Sequence, residues 1–232
     1  MSNRADTAIA QCIAALGAAG ATGIDQYEQR LRNNADEPEV LEDFLLEGRA
    51  ALMFLRHRFK VGMQDKPDLR IELDGEVVYV EVKHFREKER DREDEREMRA
   101  TQERLVVTGE LLESEGAEAW QQIVDVAVNK APQYASDAPN VLVVESSSPS
   151  LELMIGTAVH DYDKEVLKSD DDRLRRLSGI MLVQTDWITS RDGRNVDFYP
   201  TSEAATPVSA HMAAALSAIV TDMPCGKRGE CG

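Results

Sequence analysis

Pro67-Asp-Leu-Arg-Ile-Glu-Leu-Asp-Gly-Glu-Val-Val-Tyr-Val-Glu-Val-Lys83 carries the strongest local signal in the chain. Two alternating runs, LRIEL and EVVYVEVK, flank Asp74-Gly75. A period of two puts apolar and polar side chains on opposite faces of a strand. Asp-Gly supplies the two positive-φ positions that a type I′ turn needs. The stretch therefore predicts a β-hairpin with a two-residue loop. Leu73 then faces Glu76, and each step outward pairs the next residues, until Asp68 falls opposite Glu81.

The register sorts the side chains. Leu69, Ile71, Leu73, Val78, Val80 and Val82 share one face, which is a core face. Asp68, Arg70, Glu72, Val77, Tyr79, Glu81 and Lys83 share the other. Directly opposed residues have Cβ atoms roughly 4.5–5.5 Å apart, so Asp68 against Glu81 is unfavourable unless a cation or a shared proton sits between them. Carboxylate oxygens suit a hard divalent ion such as magnesium or manganese.

Pro67-Asp68, twelve residues, then Glu81-Val82-Lys83 resembles the PD-(D/E)xK motif of a nuclease superfamily with the restriction-endonuclease-like fold. That superfamily includes type II restriction endonucleases, archaeal junction resolvases and many repair nucleases. The resemblance implies a three-layer α/β/α core in the order αβββαβ, with a mixed central sheet and the motif on the second and third strands. It implies that Asp68, Glu81 and Lys83 are catalytic. It also implies a Mg²⁺ ion (Mn²⁺ as the substitute) held by Asp68, Glu81 and the Val82 carbonyl. In the superfamily the helix before the first strand often lends a glutamate to the metal. Glu47 best matches that place and Glu42 is second, the plain alternative being a solvated helix carboxylate. Lys130 and Gln133, in NKAPQY, resemble a lysine and glutamine that contact substrate in several of these families. For Lys130 the alternative is a basic residue favoured at a helix C-terminus by the dipole. Arg70 shares the hairpin's polar face and is a candidate phosphate contact. The implied activity is metal-dependent hydrolysis of phosphodiester bonds in nucleic acid, DNA first, with a homodimer as one assembly for cutting two strands.

The rest of the chain is read around this hairpin. Residues 1–35 are expected as an N-terminal helical extension, 36–222 as the nuclease-like domain and 223–232 as a flexible tail. Helical spacing covers 5–16 and 24–31. Asp36-Glu37-Pro38 opens a stronger helix, with Asp as cap and Pro in the first turn. Leu41, Phe44, Leu45, Leu52, Met53 and Leu55 form its stripe. A first strand covers 59–63. Residues 84–104 are almost wholly charged and read as a solvated helix, or a segment that gates the site. Trp120, Ile123, Val124, Ala127 and Val128 mark a helix that Pro132 ends or kinks. Residues 140–145, NVLVVE, read as a buried central strand. Helix, strand, hairpin, helix, strand over 36–146 is also the superfamily's order. Beyond it are expected a helix at 151–167, a strand pair at 180–188 and 195–200, and a helix at 207–220.

Composition constrains partners. The net charge is −16, from 27 basic and 43 acidic residues, which argues against a simple binder of bulk duplex. Residues 49–104 are the exception, with 14 of each sign. Three cysteines suggest reduced thiols in a cytoplasm. No run of about 18 apolar residues and no secretory leader is read, so no membrane partner is expected. Walker, GxGxxG, nucleophile-elbow and CxxC motifs are missing from the sequence. His57, His160 and His211 have no metal-ligand spacing, and alternation puts His84 on the face away from the metal. Two other readings stay open: a catalytically silent nuclease-fold protein serving binding or assembly, and an acidic interaction module with an ordinary solvated hairpin.

Overall fold

The structure, a computed structural model, describes residues 2–85, 119–146, 149–184 and 196–219. Among these residues the chain runs α1 (Ser2–Ala19), α2 (Ile24–Asn33), α3 (Pro38–Arg56), β1 (Lys60–Met63), β2 (Leu69–Leu73) and β3 (Glu76–His84). It continues through α4 (Ala119–Lys130), β4 (Asn140–Ser146), α5 (Pro149–Lys168), β5 (Leu177–Gln184), β6 (Val196–Pro200) and α6 (Ala210–Ser217). Most of the charged stretch, the loop at 190–194, and Cys225 and Cys231 of the tail lie outside the described residues.

The hairpin has the expected register. β2 and β3 are antiparallel, with Leu73 facing Glu76, Ile71 facing Val78 and Leu69 facing Val80. Asp74 has φ 50° and Gly75 φ 86°, so both turn residues take the positive φ that the short loop demands. The strands lie in sequence order in one six-stranded sheet. β1–β2, β2–β3 and β5–β6 are antiparallel, while β3–β4 and β4–β5 are parallel. The protein is thus an α/β fold on an open mixed sheet. Each parallel step is bridged by a stretch containing a helix, α4 or α5, as a crossover requires.

Alternation along the strands divides the core into two layers. Val61, Ile71, Val78, Val80, Val141, Val143 and Met181 pack with α1, α2, α3 and α6. Leu142, Val144, Ile180 and Leu182 face the other way, onto α4 and α5. Each buried aliphatic side chain of this kind contributes about 1.5–3 kcal/mol relative to exposure. The second layer starts at β4. On β3 the same face carries Val77, Tyr79, Glu81 and Lys83, and that break in the apolar surface positions the site.

Residues expected as an extension enter the first layer: Ile9, Leu16, Tyr27 and Leu31 are fully buried there. Gly48 permits this. A Cβ on it would lie 2.5 Å from the Cys12 sulfur and 2.7 Å from the Tyr27 hydroxyl oxygen, so α1 and α2 press directly on α3. At the start of α3 the cap is Glu37 rather than Asp36, and its side chain makes no capping hydrogen bond; Pro38 occupies the first turn as expected. β4 is buried along its whole length. No helix among the described residues is long and apolar enough to cross a membrane.

Candidate metal and phosphate site

The hairpin ladder stops at Leu69 and Val80, one step before the two motif carboxylates. Continued regularly, it would place Pro67 opposite Val82. Proline has no N–H to give and the chain turns away. The Asp68 carboxylate takes over, its Oδ2 accepting the Val82 N–H at 2.8 Å. The Gln64 N–H donates to the Asp68 carbonyl at 2.8 Å and closes the connection from β1. Asp68 is thereby held at the sheet's end, 8% exposed.

Glu81 projects toward α4 from β3, its side chain 0% exposed. Lys130, the last residue of α4, donates to Glu81 Oε1 and lies 3.5 Å from Gln133 Oε1. Glu81 Oε2 has no hydrogen-bond partner among the described residues. From the opposite side of the sheet α3 brings Glu47, also buried. Its Oε2 is 3.3 Å from Arg30 Nη2, but the pair lacks hydrogen-bond alignment, so this oxygen too has no hydrogen-bond partner among the described residues. A buried polar atom in that condition costs free energy unless something else meets it.

Burial and mutual repulsion set the protonation. Asp68 is pushed up to about 7, first by burial and then by the Glu81 charge, against the opposing Val82 hydrogen bond. Glu47 rises to about 9, by burial first and Asp68 second, with Arg30 pulling the other way. Without a further cation both carboxyls keep their protons to higher pH than a solvated carboxyl does.

A cavity of about 310 Å³ opens over these groups, lined by Glu47, Asp68, Val82, Lys83, Lys130 and Gln133. Glu81 is not among the lining residues; it contacts Lys130, which is. Lys83 sits 3.7 Å from Asp43 Oδ2, its side chain 39% exposed. Arg70 is not among the lining residues; it donates to Glu72 at 3.0 Å, farther along β2. Glu42 pairs with Arg49 at 2.9 Å on the surface, whereas Glu47 faces the cavity. His84 also lines it. Val82, Lys83 and His84 all border the cavity because it spans the end of β3 rather than one face. Sequence reasoning also missed Arg30 and Asp43, which line the same cavity. The available signal was an arginine beside Tyr27 and Leu31, the buried residues of α2.

Three carboxylates with two unmatched oxygens fit the donor chemistry of a hard divalent ion. They are not drawn into a closed shell: no group of three or more His, Cys, Asp or Glu side chains among the described residues is arranged to hold a metal. Lys130 meets Glu81 with the positive charge at hand. No protein-family model, no curated protein and no solved structure matches this chain.

Proposed function

We propose that the protein is a metal-dependent nuclease hydrolysing phosphodiester bonds in nucleic acid, DNA first, and that its sheet and helices follow the restriction-endonuclease-like plan of the PD-(D/E)xK superfamily. One observation carries this reading. Glu47 of α3 is buried close to Asp68 and Glu81 at the open end of the hairpin, two of these carboxylate oxygens lack hydrogen-bond partners among the described residues, and Lys83 is on the cavity wall.

Asp68, Glu81 and Glu47 would hold Mg²⁺, with the Val82 carbonyl as a further ligand by resemblance. When bound, the ion supplies a Lewis acid for the scissile phosphate and for a water molecule. The chain's own residues do the rest. Asp68 and Glu47 release the protons that burial keeps on them. Lys130 gives up Glu81 once that charge is met, and with Gln133 becomes available to the substrate. Lys83 donates to the attacking water or to a phosphate oxygen and stabilises the charge that develops there. Water adds at phosphorus, one P–O ester bond breaks, and a phosphomonoester and an alcohol leave.

The rival reading is a catalytically silent member of the same fold, favoured by the Lys130–Glu81 contact, which neutralises the site without a metal. Incubation with single- and double-stranded DNA and RNA separates the two. The nuclease reading expects Mg²⁺-dependent cleavage that EDTA abolishes and Lys83→Ala reduces strongly. Absence of cleavage on all four substrates, in Mg²⁺ and in Mn²⁺, would leave the silent reading.

A further inference from the structure

We propose that Arg30 of α2 is a phosphate-binding residue of this site, contacting the backbone of the nucleic acid beside the carboxylates. The inference rests on the nuclease reading and extends its machinery to a helix that the motif does not include.

Arg30 lines the cavity together with Glu47, Asp68 and Lys83, its side chain 20% exposed. It is held in advance of any ligand. The guanidinium lies 5.6 Å from the centre of the Tyr27 ring and 5.3 Å from that of Phe44. Its Nη2 donates to the Gln64 carbonyl, just past β1. Tyr27 in turn donates to the Phe44 carbonyl at 2.6 Å, fastening α2 to α3. A side chain already ordered loses little entropy on meeting a ligand.

Its N–H donors are not used up by these contacts. A guanidinium carries five N–H donors, and Gln64 takes one. The approach to Glu47 lacks hydrogen-bond alignment. Asp65 is 3.7 Å away, beyond hydrogen-bond reach, with a side chain 78% exposed to competing water. The planar fork that remains matches two oxygens of a phosphate.

Local charge agrees. In a chain of net charge −16 the cavity wall carries Arg30, Lys66, Lys83 and Lys130 against Asp43, Glu47, Asp65 and Asp68. A divalent ion on the carboxylates tips that balance positive, which complements phosphate. Arg30 enters from the α1–α3 side of the sheet and Lys130 from the α4 side, so an anion above the carboxylates meets a cation from each layer.

The test is fluorescence anisotropy of a labelled single-stranded DNA oligonucleotide in Ca²⁺, repeated over a KCl series. Wild type is compared with Arg30→Gln, Arg30→Lys and Arg32→Gln, alongside cleavage assays in Mg²⁺. Arg32 is the charge-matched control, since it lies on α2 and pairs with Glu28. Arg30→Gln is expected to bind about tenfold more weakly and to lower the slope of log affinity against log salt by about one. Its KM rises more than its kcat falls. Arg30→Lys keeps the slope and recovers part of the affinity, which also covers the case where Arg30→Gln loses structure. A residue that only braced Glu47 would leave the salt slope unchanged. If wild type binds and cleaves but Arg30→Gln and Arg30→Lys keep its slope and affinity, the assignment of Arg30 falls and the nuclease reading stands. If wild type neither binds nor cleaves, both fall together.

Discussion

The two ends of one hairpin carry the same residue types and treat them oppositely. At the turn, Asp74 and Glu76 have side chains 74% and 41% exposed, near His211. At the open end, Asp68 and Glu81 are 8% and 1% exposed. Water meets the first pair. The second pair meets the Val82 N–H at Asp68 and the Lys130 ammonium at Glu81. Carboxylates are buried at such expense only where something else requires them, and they lie where β3 stops offering an apolar face to α4.

The largest contrast is in chemistry. Asp68→Asn and Glu81→Gln are each expected to lower Mg²⁺-dependent hydrolysis by about a thousandfold or more, since each removes a carboxylate from the proposed metal shell. Asp74→Asn and Glu76→Gln, at the exposed end, are expected to stay within about twofold of wild type in the same assay. A comparable loss at both ends would erase the distinction.

Lys83→Ala follows, with a loss of about a hundredfold or more in kcat and metal binding retained. The separation of turnover from binding, read by kinetics beside calorimetry, distinguishes Lys83 from the carboxylates it adjoins.

A pH series sharpens the contrast further. Folding lifts Asp68 from its ordinary 3.8 to about 7 and Glu47 from 4.5 to about 9. The folded protein therefore holds protons that the unfolded chain has lost. This contribution to stability is complete below about pH 4 and is lost as pH rises through 7 and on toward 9. In EDTA, urea midpoints should fall between about pH 4 and 9, and Asp68→Asn should flatten the part of the fall between about pH 4 and 7. Metal binding runs the other way, because the ion must displace those protons, so its affinity should rise with pH.

The smallest effect belongs to the turn itself. Gly75→Ala places a side chain at φ 86° and is expected to cost about 1–2 kcal/mol of stability while leaving hydrolysis unchanged.

What the sequence disclosed depended on range. The hairpin was legible because Asp-Gly and a period of two are local signals, and every paired residue from Leu69 to Val80 follows from them. NVLVVE was legible as a buried strand because both of its faces are apolar. Of the strand pair expected near the C-terminus, 180–184 and 196–200 lie in β5 and β6, while 185–188 fall outside the described residues. Arg30 was not legible. Its place depends on α2 lying against α3, which Gly48 and the Tyr27–Phe44 hydrogen bond allow and no local pattern announces. His84 borders the cavity although alternation turns it to the other face of β3 from Lys83, because the cavity spans a strand's end. The Asp68–Glu81 opposition was read in the right place but with the wrong contact: Asp68 turns to the Val82 N–H where the ladder stops.

Calorimetric titration of the metal-free protein with Mn²⁺ near pH 8 asks whether Glu47, Asp68 and Glu81 form a divalent-cation site. The expected result is saturable binding with proton release, seen as a heat that depends on the buffer's ionisation enthalpy, lost in both Asp68→Asn and Glu81→Gln and retained in Asp74→Asn. Wild-type protein that takes up no Mn²⁺, or variants that bind as wild type does, would contradict it.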